Sequence, residues 1–345
     1  MSLATDSQKT VMPTAKPSVP GPGRVVIYRD IGRRTGLVAA WAILVIVFGI
    51  MRPDTFLTIE NFASIFGAQS VVGMLALALL IPITAGDYDL SIASVLTVSS
   101  LIVAILTAQD HWAVVPAAIV ALLFGLIVGF LNGVISVYFD IDPFIVTLGM
   151  STALEGIALW ISNSNTISGL SPGLVTVVAG DHFLGIPLEF YIALAGGLVV
   201  FYVLEFTPVG RRLLFVGRNR TVSKLSGIKV ARVRIGGLTT SGFLAALAGL
   251  MYAGTTGSAD PTSGGSFLLP AFAAVFLGAT SIVPGRYNPW GTLIAVYFLV
   301  TGITGLEILG APDFIQQIFY GGALVLAVVL SQIVKGRAAR RESAL

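Results

Sequence analysis

The sequence predicts an all-α, polytopic integral membrane protein of about ten transmembrane helices with both termini in the cytoplasm. Three observations predict it. The 345 residues are 55% hydrophobic and 11% charged, with a mean hydropathy of +0.92. A soluble domain carries about 25% charged residues, so this chain cannot solvate a globular surface. Its apolar residues fall in runs near the membrane-crossing length of about 20 residues. Its 20 Lys and Arg are segregated: six within residues 9–34, eight within 211–234 and four within 335–341, with only Arg52 and Arg286 elsewhere. Basic residues mark cytoplasmic loops, so an even number of spans separates each cluster from the next.

The elements follow in order. Residues 1–34 are rich in Pro, Ser and Thr and have little to bury; they read as a disordered basic cytoplasmic tail. The charged region is too long for a cleavable signal peptide, and no small-residue cleavage site follows Ile50. A transmembrane domain runs from 35 to 335. Its first six spans are 35–51, 62–84, 91–108, 114–139, 144–161 and 190–206. A basic loop, 210–237, comes next, and then the spans 238–253, 267–280, 290–309 and 315–334. Residues 336–345 form a cytoplasmic C-terminal tail. With the N-terminus inside, six spans bring the chain back inside at Gly210 and four more at Lys335. Arg286 then joins the cytoplasmic side and Arg52 alone lies outside. Segments 162–189 and 255–266 hold no Lys or Arg, as fits the outer face. LVTVV and FLGI make 162–189 too apolar for a plain linker and predict a short amphipathic piece lying on that face. Gly and Ala recur in FGLIVGFLNG and GFLAALAGLMYAG, where small residues let helices approach closely.

Composition and motifs exclude several chemistries. Cys is absent, which removes disulfides and thiolate metal sites, and His111 and His182 are too far apart for a zinc motif. No GxxxxGK[ST], HExxH or GxSxG occurs. No catalytic residue and no metal ligand is assigned. The net charge of +3 follows from topology and implies no nucleic-acid partner.

Two stretches hold the functional candidates. AGDYDLSIAS (85–94) sets Asp87 and Asp89 between apolar runs, flanked by Gly86 and Ser91, with no base nearby in sequence. Acids near membrane depth are costly and mark function, and broken helices are where transporters build sites. A plain cytoplasmic turn with one Asp capping the next helix is the alternative. Glu155 lies mid-span in MSTALEGIALW and must face a cavity or a partner, or carry a proton. Asn132, late in the fourth span, bonds across helices or lines a path. Asp87, Asp89, Ser91, Asn132 and Glu155 are therefore the candidates for a substrate path or gate. The second stretch is the basic loop, which holds eight bases and no acid. Topology alone accounts for such charge; docking on a cytoplasmic partner is the sharper reading. Thr221 is predicted to cap a short helix, VSKLS, that Gly227 ends. A helix that short needs something to dock against.

Four segments resemble one family, the membrane permeases of bacterial ATP-binding cassette (ABC) sugar importers of the ribose type. AGDYDLSIASVL is similar to the family's GGIDLSVGSVL-like segment, and DPFIVTLGM to its PFIVTLGM-like start of the fifth span. GRNRTVSKLSGIKVARVRI is similar to its GxNxxAARLSGIxVxRVK-like coupling segment, and AVFLGATSIVPGRYNPWGTL to its VxLGGTSLxGGxGxxxGTLLG-like segment. The resemblance covers about 62–334, in the family's order, and leaves out the N-terminal tail. It implies the transmembrane subunit of an ABC importer in the bacterial inner membrane, for a monosaccharide or related polyol. The implied partners are a cytoplasmic ABC ATPase, a periplasmic or lipid-anchored solute-binding protein, a second permease subunit (the same or different) and the lipid bilayer. The chain would bind no cofactor itself and would not be an enzyme; ATP and Mg would sit on the ATPase.

Carried over by position, Asn219, Leu225, Ser226, Gly227 and Ile228 sit in the coupling helix and its exit, with Thr221 in the same segment. Arg218, Arg220 and Lys224 would meet acidic groups on the ATPase. Three departures point away from ribose itself: Glu155 stands where the family often has Arg, Ala279 replaces a Gly, and ITGL (303–306) replaces an NNGL-like stretch. Related permeases for branched-chain amino acids or nucleosides share the architecture and are the nearest alternative. A secondary transporter would carry a charged relay through several spans, and a membrane-embedded transferase a convergent metal site; the sparse charges argue against both.

Overall fold

The structure, a computed structural model, describes residues 24–342 except Asp181 and Asp313, with side chains described from Thr35 to Leu330 apart from Ala68 and His182. Part of the expected N-terminal tail, residues 1–23, and the last three residues lie outside the described residues. Helix α1 (Arg24–Met51) starts inside that expected tail, so residues 24–34 are helical and not an irregular arm. After the short α2 (Pro53–Phe56), Thr58 caps α3 (Ile59–Ala68), its Oγ1 accepting from the Asn61 amide at 3.1 Å. The second expected span divides at Gln69 into α3 and α4 (Ser70–Thr84).

The chain continues through α5 (Ile92–Ala104), which ends in a π-helical turn (Ile105–Gln109), to α6 (Val114–Tyr138) and α7 (Pro143–Ile161). Strand β1 (Ile167–Ser168), helix α8 (Pro172–Val175) and the hairpin of β2 (His182–Phe183) with β3 (Ile186–Pro187) lead to α9 (Leu188–Phe206). The expected basic loop is largely helical: α10 (Pro208–Arg218), α11 (Arg220–Leu225) and the first turns of α12 (Val230–Thr256). Strand β4 (Ser258–Ala259), α13 (Gly265–Gly278), α14 (Pro289–Ile308) and α15 (Phe314–Glu342) complete the chain. The expected C-terminal tail is likewise helical to Glu342.

Among the described residues, seven helical segments are long and apolar enough to cross a membrane, and Thr35–Met51, Gly265–Gly278 and Phe314–Leu330 are shorter apolar helices. The protein is thus all-α and multi-pass. Every residue of α4 is buried, as an all-round apolar helix requires; α12, α13, α9 and α14 pack around it. By contrast only 28%, 22% and 28% of the apolar stretches of α6, α7 and α9 are buried. Their exposed Leu123, Ile127, Leu148 and Leu198 need lipid or another membrane chain against them. A close seam runs between α6 and α12. There a Cβ on Gly242 would fall on the carbonyl of Gly125, and one on Gly129 on that of Leu238. The small residues of both runs serve this close approach.

Long-range contacts sort the connections into two ends. At one end lie the α4–α5 turn, the α9–α12 segment and the α13–α14 turn, joined by Asp87 with Arg220 and by Glu205 with Arg286 at 2.7 Å. At the other, β1 pairs antiparallel with β4, and Thr166 donates to Asp260 at 2.8 Å. Segment 162–189 does hold a short helical piece; it buries Leu174 and Val178, the latter against Gly254 of α12.

Candidate functional site

The site grows from the turn that ends α4. Gly86 has φ +81, which turns the chain sharply after Thr84. That places Asp87 under the α10–α12 segment with its side chain fully buried. A buried carboxylate needs counter-charge and hydrogen bonds, and two arginines supply them. Arg220 Nη2 donates to Asp87 Oδ1 at 2.5 Å and to the Gly86 carbonyl at 3.1 Å. Arg234 Nε donates to Oδ2 at 2.9 Å and to Oδ1 at 3.1 Å. The Arg234 side chain is 9% exposed and that of Arg220 is 44% exposed. Neither arginine is therefore a topology signal only: both pair with Asp87 within the chain, Arg220 while still partly exposed.

Backbone contact reinforces the ion pairs. Gly217, at the end of α10, lies so close to the α4 terminus that a Cβ there would fall on the Thr84 carbonyl oxygen. Asn219 then caps α11, its Oδ1 accepting from the Val222 amide at 3.0 Å. This corrects the expected cap: Thr221 stands inside α11 and is exposed. Asn219, two residues earlier, has the extended backbone and the acceptor that capping requires. The predicted stop holds. Gly227 adopts φ +80 and its amide donates to the Lys224 carbonyl at 3.1 Å, while the Ile228 amide donates to the Ser223 carbonyl at 3.0 Å. Ser226 Oγ donates to the Val222 carbonyl at 2.9 Å. Val222 and Leu225, one turn apart, are 57% and 83% exposed, and Arg218 and Lys224 are exposed beside them. Ile228 packs back on the core.

Asp89 lies on the other side of the same turn and is fully buried. Its Oδ1 accepts from the Ser91 hydroxyl at 2.6 Å and the Ser91 amide at 3.0 Å, and Asn132 Nδ2 donates to Ser91 Oγ at 2.9 Å. Burial pushes the Asp89 carboxyl above its usual value, against the pull of the Ser91 hydrogen bonds. Asn132 Oδ1 and Ser136 Oγ are buried without a partner among the described residues, while Ser241 stands beside the Asp89 carboxyl and hydrogen-bonds it. Asp89, Ser91 and Asn132 thus form one hydrogen-bonded cluster.

The turn is also laced to α7. The Thr147 hydroxyl donates to the Tyr88 carbonyl at 3.2 Å and accepts from the Leu90 amide at 3.1 Å. One turn on, Ser94 and Ser151 hydroxyls meet at 2.7 Å, and both lie 3.3 Å from Glu155 Oε1. Glu155 itself is on the exposed face of α7. It stands apart from the Asp89 cluster and is linked to it through Ser94 on α5 and through Thr147 and Ser151 on its own helix. Sequence reasoning missed Arg234, Thr147 and Ser151. The four-residue spacing of Thr147, Ser151 and Glu155 on one helix face was a signal for the last two. It also missed Glu189, buried at the start of α9 and hydrogen-bonded by Thr255.

Residues 61–328 match the protein family described as branched-chain amino acid transport system / permease component. The chain is 35% identical over 293 residues to the ribose import permease protein RbsC of Bacillus subtilis, covering 84% of this chain and 90% of that one. It is 30% identical to the D-allose transport system permease protein AlsC of Escherichia coli, over 85% of this chain and 90% of the other. The L-arabinose ABC transporter permease protein AraH of Azospirillum brasilense is 29% identical, over 96% and 97% of the two chains. No solved structure matches significantly.

Proposed function

We propose, for a chain that belongs to the branched-chain amino acid transport system / permease component family, that it is the membrane subunit of an ATP-driven importer of a monosaccharide. The sugar reading is favoured over amino acids or nucleosides by the ribose, D-allose and L-arabinose permeases to which the chain is similar. In this reading the membrane is the bacterial inner membrane. About ten helices cross it, seven long and three short, with both termini and the α10–α12 segment in the cytoplasm. A separate ATPase holds ATP and Mg, a solute-binding protein delivers the sugar, and a second permease subunit closes the path.

The observation that carries the proposal is α11, a short, exposed helix whose base is locked to the α4–α5 turn by Arg220 and Asp87. Val222 and Leu225 fit the role of apolar knobs for a groove on the ATPase, and Arg218 and Lys224 that of its polar rim. Arg218, Asn219, Thr221, Lys224, Leu225, Ser226, Gly227 and Ile228 are the docking element in this account. When the ATPase moves α11, the Asp87 lock moves the turn. The turn then carries the Asp89–Ser91–Asn132 cluster and, through Ser94 and Ser151, the helix bearing Glu155. Those residues form the gate in this account.

Proteoliposomes test it. With a cognate ATPase and binding protein, uptake of labelled ribose, allose or arabinose is expected to require ATP, and leucine and nucleosides are expected not to enter. Uptake by the permease alone, without an ATPase, would overturn the importer reading.

A further inference from the structure

A groove of ≈ 380 Å³ opens between α9, α10 and α12 on the flank of the molecule. Val199, Val200, Val209 and Phe243 form apolar walls, and the lining is apolar apart from Arg212, Arg232 and Thr240. Along α12 the lining runs from Arg232 to Leu244. At 1.5 Å per residue that is about 18 Å, close to the depth of one leaflet of a hydrocarbon core of about 30 Å. Arg212 and Arg232 stand at the end that bears the docking segment, and neither is in an ion pair among the described residues. The acid at the end of α9, Glu205, is already paired with Arg286.

We infer that this groove binds an anionic phospholipid, its headgroup on Arg212 and Arg232 and an acyl chain along Val199 and Phe243. Two unpaired guanidiniums at the mouth of an apolar slot select a negative headgroup over a zwitterionic one. The slot opens sideways, on a flank where α9 is mostly exposed, so a lipid reaches it from the bilayer. A bound lipid would brace α10 against α12, the two helices that flank α11.

Native mass spectrometry of the full-length protein in detergent, mixed with phosphatidylglycerol or phosphatidylcholine, tests the site. The unaltered chain is expected to retain phosphatidylglycerol in preference. The Arg212→Ala/Arg232→Ala variant should retain about thirtyfold less, at the usual worth of two basic residues near an anionic headgroup. Gly236→Leu adds a side chain where nothing stands within 4 Å of the Cβ position. It should fill the groove, leave the charge unchanged and also release the lipid, while Arg211→Ala, outside the groove, should release none. Equal retention of the two lipids, or no loss in the double variant, overturns the site. Loss in the arginine variant with full retention in Gly236→Leu overturns the groove and leaves only diffuse attraction. Cross-linking of a Gly236→Cys variant to a second copy or to the ATPase would show the groove covered by protein and would also overturn it. Retention needs neither ATP nor sugar, so its failure is distinct from failure of the importer reading.

Discussion

Replacing Asp87 by Ala should damage the protein far more than replacing the arginine that touches it most closely. The two arms of the Asp87 site are unequal. Arg220 is 44% exposed and can swing into water, so loss of its arm alone costs about 1 kcal/mol, as for a partly solvated pair. Arg234 is 9% exposed. Without Asp87 its guanidinium stays buried and uncompensated, which costs about 3–5 kcal/mol. Arg234→Ala should fall between, because Asp87 keeps Arg220. Asp87→Asn preserves shape and removes charge, so it should behave nearly as Asp87→Ala does. Unfolding of the purified variants in mixed micelles reads these differences. If Arg220→Ala costs as much as Asp87→Ala, or if Asp87→Asn is tolerated, the charge-based account of the turn is wrong.

Other predictions concern backbone proximity and the outer face. Gly217→Ala should force α10 off the end of α4, destabilise by about 1–3 kcal/mol, and lower uptake while the ATPase still co-purifies; normal uptake would remove the contact from the mechanism. Gly242→Val should part α6 from α12 at a similar cost, whereas Gly236→Ala, facing open space, should be neutral in the same thermal assay. Asp260 is held below its usual carboxylate value by the Thr262 hydroxyl and amide and by the Thr166 hydroxyl. Its contribution is therefore complete above the unfolded value of about 3.9 and is lost as pH falls through the lower folded value. Protection of the β1–β4 amides from hydrogen exchange, relative to the intrinsic rate at each pH, should fall at acid pH in the natural chain, and Asp260→Asn should remove that pH step.

The sequence made the helices legible and left the wiring hidden. The fifth expected span, 144–161, matches α7 to within a residue because its apolar run stands out; the structure adds that Asp142 caps it and Pro143 fits its first turn. Gly227 was readable because a left-handed residue after a short helix favours glycine. The Gln69 break was not, since Gln69 is neither Gly nor Pro and Gly67, two residues earlier, stays inside α3. Thr221 and Asn219 are both capping residues, and only the backbone register separates them. The positive-inside count treated 210–237 as one loop because it weighs charge and ignores helicity; Arg232 and Arg234 ride in the first turns of a membrane helix. The Asp87 partners lie 133 and 147 residues away in sequence, and no local pattern of period 2 or 3.6 reports a contact at that separation. The motif around Asp87 and the one around Arg220 were each visible, but their contact was not.

The most direct test of the coupling account is the amount of sugar moved per ATP hydrolysed by the reconstituted importer carrying Arg220→Ala. The variant removes the exposed arm that links α11 to Asp87 and leaves Arg234 in place. The variant complex is expected to assemble and hydrolyse ATP but to import less sugar for each ATP consumed. An unchanged ratio of uptake to hydrolysis would contradict it.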